Sequence, residues 1–309
     1  MYYPYLRGKQ YELIALRELV QRKLINENIT PILEPIKVSP SLMIFMETYA
    51  EVGKSFGIVQ NPEYGSFLID IDNSKNKELR KRYLSIVSND SLFFHVFILN
   101  KNMSKLKQPS FKKKSIGICK NVDVVDDIHK LTEKYNIYEY MIPDERIFKR
   151  EIKGEKILLS DNFKKQQRNV DYIGNEDEFF SDDHLYYKEE NFKGFSDYSI
   201  VGKEFTESGF APYAVAIHVV YFDSDKKLRI HHFVSDSNDD TDDTPGKLKE
   251  ALAKLVKSKL IDRSTYAYSE FKRFYESPNY YSGLGVIKKL SIMHHIEIMA
   301  KYLQENIEL

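Results

Sequence analysis

The chain reads as an α/β protein, most simply a (β/α)8 TIM-barrel-like fold with an inserted β-hairpin near the C-terminus; an open doubly wound sheet is the alternative. Three observations lead there. Residues 1–37 form a complete strand–helix–strand pattern. Eight short apolar runs recur along the first two thirds of the chain. Several of those runs are apolar at consecutive positions, as parallel strands covered on both faces require.

Local chemistry accounts for each element in turn. A Tyr-rich extended run ends in the polar turn Arg7-Gly8-Lys9-Gln10, and Leu13, Leu16, Leu19, Val20 and Leu24 then recur near the helical period, which predicts a helix over 11–24. Residues 29–36 form the second strand. Ser39-Pro40 opens a second helix over 42–52, with Pro suited to the first turn, and 57–60 is a short third strand. A third helix over 75–88 leads into a buried strand at 92–99. Further strands are expected at 115–119, 137–142, 156–160 and 198–201, with the clearest helix between them at 122–135. Two crossovers are weak: 101–114 is basic and contains Pro109, whereas 162–194 is acidic, Asn-rich and aromatic.

The last third differs. Runs at 213–222 and 228–234 flank Asp223-Ser-Asp-Lys-Lys227, a hairpin signal. Thr244-Pro245-Gly246 then supplies an N-cap and a first-turn Pro for a helix over 247–259, and a final amphipathic helix covers 285–306. The expected organisation is one barrel-like domain over 1–309, with 211–235 as a β-ribbon and 246–309 as closing helices.

Composition narrows the function classes. Lys+Arg and Asp+Glu number 46 each, so no overall basic excess draws the chain to nucleic acid or anionic lipid. The single cysteine, Cys119, fits a reducing compartment. Without a secretory pattern or an apolar run of about 20 residues, a cytoplasmic protein with no membrane association is expected.

In a barrel of this kind the chemistry lies at the carboxyl ends of the strands. Those ends deliver Arg7 and Lys9, Glu34 and Lys37, Gln60 and Asn61, Asn100, Lys120 and Asn121, Asp144 and Glu145, Asp161, and Glu204 and Glu207. Arg7 and Lys9 on a glycine turn before a helix would suit an oxyanion or phosphate. Equally, Arg7 could pair with Glu34 and close the mouth. Glu34 with Asp161 or Glu207 could form an acid–base pair or hold a divalent metal. The candidate catalytic set is therefore Arg7, Lys9, Glu34, Asp161 and Glu207, with a divalent metal as the candidate cofactor.

Other groups carry weaker signals. Asp70 and Asp72 could cap a strand end or bind a cation. His218 and His232 face each other if the hairpin closes about Asp225, which would let them share a metal or an anion, although spacing fixes no third ligand. His294 and His295 are adjacent on one helix, so one should pack and the other be solvated. The acidic run 236–243 begins like a calcium loop, but Thr241 and Lys247 replace the glycine and the bidentate Glu, which excludes an EF-hand. Cys119 suits a buried thiol better than a nucleophile. Lys101, Lys105, Lys107 and 112–114 with Phe111 could contact phosphates or simply be solvated.

The segments Tyr3-Pro-Tyr-Leu-Arg-Gly-Lys-Gln-Tyr-Glu-Leu13 and Pro31-Ile-Leu-Glu-Pro35, with Phe195-Ser-Asp-Tyr-Ser-Ile-Val-Gly202, Glu207-Ser-Gly-Phe-Ala-Pro-Tyr-Ala214 and His232-Phe-Val-Ser-Asp-Ser-Asn-Asp239, resemble a family of uncharacterised bacterial proteins related to the phage-type beta-protein family. That resemblance implies a barrel-like fold and a place among bacterial conflict or mobile-element genes, with no reaction attached. Two functions follow as expectations: a component of a multi-protein system, antiphage defence being one such setting, that binds a protein partner or nucleic acid, or a hydrolase of phosphodiesterase or other type acting at the barrel mouth.

Overall fold

The computed structural model describes residues 1–88, 93–101, 103, 114–206, 212–277 and 281–306. In chain order it contains β1 (Tyr5–Leu6), α1 (Gln10–Gln21), β2 (Ile32–Leu33), α2 (Pro40–Val52), β3 (Phe56–Val59), α3 (Phe67–Asp72), α4 (Lys77–Val87), β4 (Phe93–Ile98), β5 (Ser115–Ile118), α5 (Ile128–Tyr135) and β6 (Ile137–Ile142). Then follow α6 (Arg146–Glu151), β7 (Glu155–Ser160), β8 (Asp177–Ser181), α7 (Asp183–Tyr186), β9 (Gly194–Asp197), β10 (Ala216–Phe222), β11 (Leu228–Val234), α8 (Thr244–Lys257), α9 (Tyr266–Glu276) and α10 (Leu284–Glu305). Two compact units divide the chain: Met1–Ser160 with Asp183–Asp197, and Asp161–Asp182 with Tyr198–Leu309.

The first unit is the barrel. Its sheet has eight strands in the order β1-β2-β3-β4-β5-β6-β7-β9, every pair parallel. Parallel bridges from Tyr2 to Ile29 and to Phe195, with the Tyr3 amide donating to the Phe195 carbonyl at 2.8 Å, bring the last strand against the first and nearly close the barrel. Gly57 is required inside it, because a Cβ there would lie 2.5 Å from Phe94 Cε2 and 2.9 Å from Ile32 Cδ1. Helix α1 buries Leu13, Leu16, Leu19 and Val20 and packs against α2, each side chain contributing roughly 1.5–3 kcal/mol by leaving water. It ends before Leu24 because the backbone turns left-handed at Lys23, where φ is 58°. Ser39 caps α2 through a hydrogen bond from the Leu42 amide, with Pro40 as its first residue.

The eighth strand lies one segment earlier than the sequence predicts. Residues 194–197 pair with β7, while Ser199–Val201 form a single 3-10 turn. Tyr198 to Val201 is the more apolar stretch, but Gly194 is the residue that fits: a Cβ there would meet Tyr3 Cε2 at 2.7 Å and the Met1 carbonyl at 2.8 Å.

The second unit is built on a three-stranded antiparallel sheet, β10-β11-β8. The expected hairpin forms with His218 opposite His232, and its loop is held by the Asp223 carboxylate, which accepts from the Asp225 and Lys227 amides, both at 2.9 Å. The third strand, β8, comes from the acidic crossover read as irregular. Helices α8 and α10 pack on the hairpin, and α9 packs on both of them. Asp243 rather than Thr244 caps α8, accepting from the Gly246 amide at 3.0 Å. His294 and His295 are both buried, contrary to the expectation of one solvated ring, because α10 is enclosed on several sides: Thr265 Oγ1 meets His294 Nδ1 at 2.8 Å and Ser199 Oγ meets His295 Nδ1 at 3.0 Å. No helix among the described residues is long and apolar enough to cross a membrane.

Candidate functional site

The barrel mouth gathers Arg7, Lys9 and Glu34 as the strand order requires. Gly8, at φ +65°, lets the chain reverse from β1 into α1, a conformation that L side chains adopt at a cost. Glu12 fastens the turn from inside the helix, its Oε2 accepting from the Arg7 amide at 2.8 Å and the Lys9 amide at 3.3 Å. That carboxylate also sits at the positive end of α1.

Glu34 is 0% exposed and Arg7 3%. Arg7 Nε lies 3.9 Å from Glu34 Oε2, the same oxygen accepts from Tyr5 Oη at 2.7 Å, and Oε1 accepts from the Glu63 amide at 2.7 Å. Both carboxylate oxygens are therefore engaged by the protein itself. Around them, Arg7 stacks over Tyr64 at 5.4 Å, and Lys120 pairs with Glu63 at 2.9 Å while lying 5.7 Å from the centre of the Tyr5 ring. Asn61 bridges to β4, donating to the Ile98 carbonyl and accepting from its amide. At the closing seam, Tyr2 Oη donates to Asp197 Oδ1 at 2.8 Å; burial first, and then the Asp197 charge, push the Tyr2 phenol well above its ordinary pKa.

The other two members of the predicted set are Asp161 and Glu207. Asp161 belongs to the second unit, where its Oδ1 accepts from the Lys203 amide at 3.0 Å. Glu207 lies outside the described residues, as does most of the basic segment 101–114. Asp70 and Asp72 are in α3 rather than at a strand end; Asp70 accepts from Ser66 Oγ at 2.6 Å and Asp72 pairs with Arg80 at 3.1 Å. Asp240, in the acidic run, pairs with Lys247 at 2.9 Å. Among the described residues no group of three or more His, Cys, Asp or Glu is arranged to hold a metal ion. Cys119 is buried, and that burial pushes its thiol up to about 12, away from the reactive thiolate. At the opposite end of the barrel, a cavity of about 290 Å3 is lined by Tyr3, Thr30, Ser55, Phe94, Tyr138 and Lys193 among others, on the face where such barrels carry stability rather than chemistry.

The second unit holds a polar chain that sequence spacing half reveals. His218 Nδ1 lies 2.7 Å from His232 Nδ1, His232 Nε2 lies 3.3 Å from Glu178 Oε1, and Glu178 Oε2 pairs with Lys164 at 3.1 Å. Tyr172 packs against both imidazoles at 4.7 and 4.3 Å and Phe163 against His218 at 5.0 Å. Burial would raise the Glu178 pKa, but hydrogen bonds from Lys164, Asn175 and His232 outweigh it and hold the carboxyl below its usual range. Burial lowers the pKa of both histidines. On the other face of the same sheet, Asp177 gathers Tyr221 Oη at 2.7 Å, Arg229 Nε at 2.5 Å and His231 Nδ1 at 3.2 Å.

Sequence reasoning missed Tyr5, Glu63, Asp197 and Glu178. Glu12, three residues after the helix-capping position Lys9, had a readable signal; Asp197 was hidden by the misplaced eighth strand, and Glu178 by the unrecognised β8. Compared with protein-family models, with curated proteins and with solved structures, the chain matches none.

Proposed function

We propose that this chain is a partner-binding component of a multi-protein bacterial system, with a protein as the partner, rather than a hydrolase acting at its barrel mouth. The observation that carries this reading is the state of Glu34. A general base or metal ligand needs a lone pair facing substrate, whereas Glu34 is 0% exposed, with one oxygen accepting from Tyr5 Oη and the other from the Glu63 amide. The mouth is built as a plug.

A surface on the barrel unit suits a partner. Helices α2 and α3 each pack on α4, and the three expose Ile44 and Val52, Leu68 and Ile69, and Leu84, with Ile69 75% exposed. Single exposed aliphatics are ordinary; several on two helices that share α4 as a neighbour, and on α4 itself, suit a partner's apolar surface. A role in antiphage defence rests on the sequence resemblance alone.

The test is affinity purification of the native protein from its host beside an Ile69→Asp/Leu84→Asp variant. A stoichiometric companion protein that co-purifies with the native chain and is lost from the folded variant supports the reading. Recovery of the chain alone, with ester- or phosphodiester-cleaving activity abolished by Glu34→Gln, contradicts it.

A further inference from the structure

The Glu178–His232–His218 chain in the second unit is directional. Glu178 is held ionised by Lys164 and its other donors, so its Oε1 accepts and His232 Nε2 carries the proton between them. A neutral His232 then offers Nδ1 only as an acceptor. The 2.7 Å contact between the two Nδ1 atoms therefore requires that His218 Nδ1 carry the proton and donate it. It follows that His218 Nε2 is a lone pair. No hydrogen bond reaches it among the described residues, and His218 is partly exposed whereas His232 is 1% exposed. Tyr172 packs against both rings and Phe163 against His218, so the chain ends at the ring nitrogen of a packed, partly exposed histidine.

We propose that Glu178, His232 and His218 form an acid–base relay whose reacting atom is His218 Nε2, which removes a proton from a water attacking a carboxylic ester. As the water oxygen bonds to the carbonyl carbon, one water proton passes to His218 Nε2 and the His218 Nδ1 proton passes to His232 Nδ1. The positive charge then rests on His232 beside the Glu178 carboxylate, which stabilises it. When the ester C–O bond breaks, the departing alkoxide takes its proton back through the same chain, so an acid and an alcohol leave and the relay is restored. His218 is the catalytic residue, and His232 and Glu178 are positioning residues. This site is independent of the barrel mouth and of the partner-binding reading.

The experiment treats the full chain with diethyl pyrocarbonate, which acylates unprotonated imidazole nitrogens, and maps the products by mass spectrometry; p-nitrophenyl acetate serves as the ester probe. Solvent-exposed His129 is the internal reference. His218 should be acylated faster than His129, and Glu178→Gln should slow His218 by about tenfold while leaving His129 unchanged. His218→Asn should lower p-nitrophenolate release to the background set by surface groups. Acylation of His218 no faster than His129 overturns the proposal, and so does equal ester turnover by the native protein and His218→Asn. The native footprint decides even if the His218 variant does not fold.

Discussion

The barrel mouth and the hairpin sheet each carry a carboxylate beside basic side chains, and they differ in where their hydrogen bonds end. At the mouth, the buried Glu34 carboxylate accepts from Tyr5 Oη on one oxygen and from the Glu63 amide on the other, with Arg7 Nε 3.9 Å away. In the sheet, the chain from Glu178 through His232 runs to His218 and stops at a ring nitrogen. A buried polar network whose members bond one another strengthens a fold. An open one leaves an atom able to meet something else. The contrast teaches that where a network's hydrogen bonds end says something about a carboxylate that its place at a strand end does not.

The largest effect that could break this contrast is at the mouth. Glu34→Ala leaves the Tyr5 hydroxyl, the Glu63 amide and a 3%-exposed Arg7 without their carboxylate, and should lower the unfolding free energy by about 3–5 kcal/mol in a urea titration. The next effect is acid sensitivity in the second unit. Burial lowers His294 to about 4 and His295 to about 3, so the unfolded chain binds protons that the folded one refuses. Their contribution is complete above an unfolded pKa of about 6.5 and is lost as pH falls from there toward 4 and 3. The melting temperature should drop across that window, and His295→Leu should make the drop shallower.

Smaller effects sharpen the comparison. Ile69→Asp, at a 75%-exposed position, should shift stability by no more than about 0.5 kcal/mol while weakening capture of the partner. Cys119→Ala should cost about 1 kcal/mol by differential scanning calorimetry, in keeping with a small buried thiol. The native Cys119 should resist a thiol reagent until the protein is unfolded.

Much of the barrel was legible because its strands are apolar on successive residues and its helices keep the 3.6-residue period; the first seven strands fall where those patterns place them. Opposition of His218 and His232 was legible from hairpin symmetry. The eighth strand was not, because Gly194 is chosen by the steric contact of Tyr3 and Met1, a long-range cause with no local signature. Nor was β8, which lies in the acidic crossover expected to be irregular and whose Asp177 and Glu178 meet Arg229, His231 and His232 only across the sheet. At the site, the pairing of Arg7 with Glu34 was foreseeable from neighbouring parallel strands, but the closure of the network by Tyr5 and Glu63 depends on side-chain directions that spacing does not encode.

A double-mutant cycle on Arg7 and Glu34, with Arg7→Met, Glu34→Leu and the pair compared by urea unfolding, tests the closed-mouth account most directly. The account predicts that each single change destabilises the protein by several kcal/mol and that the double variant recovers part of the loss, with a coupling of about 1–3 kcal/mol. Two nearly neutral, additive substitutions would contradict it, and would return Arg7 and Glu34 to the role of residues held ready for a substrate.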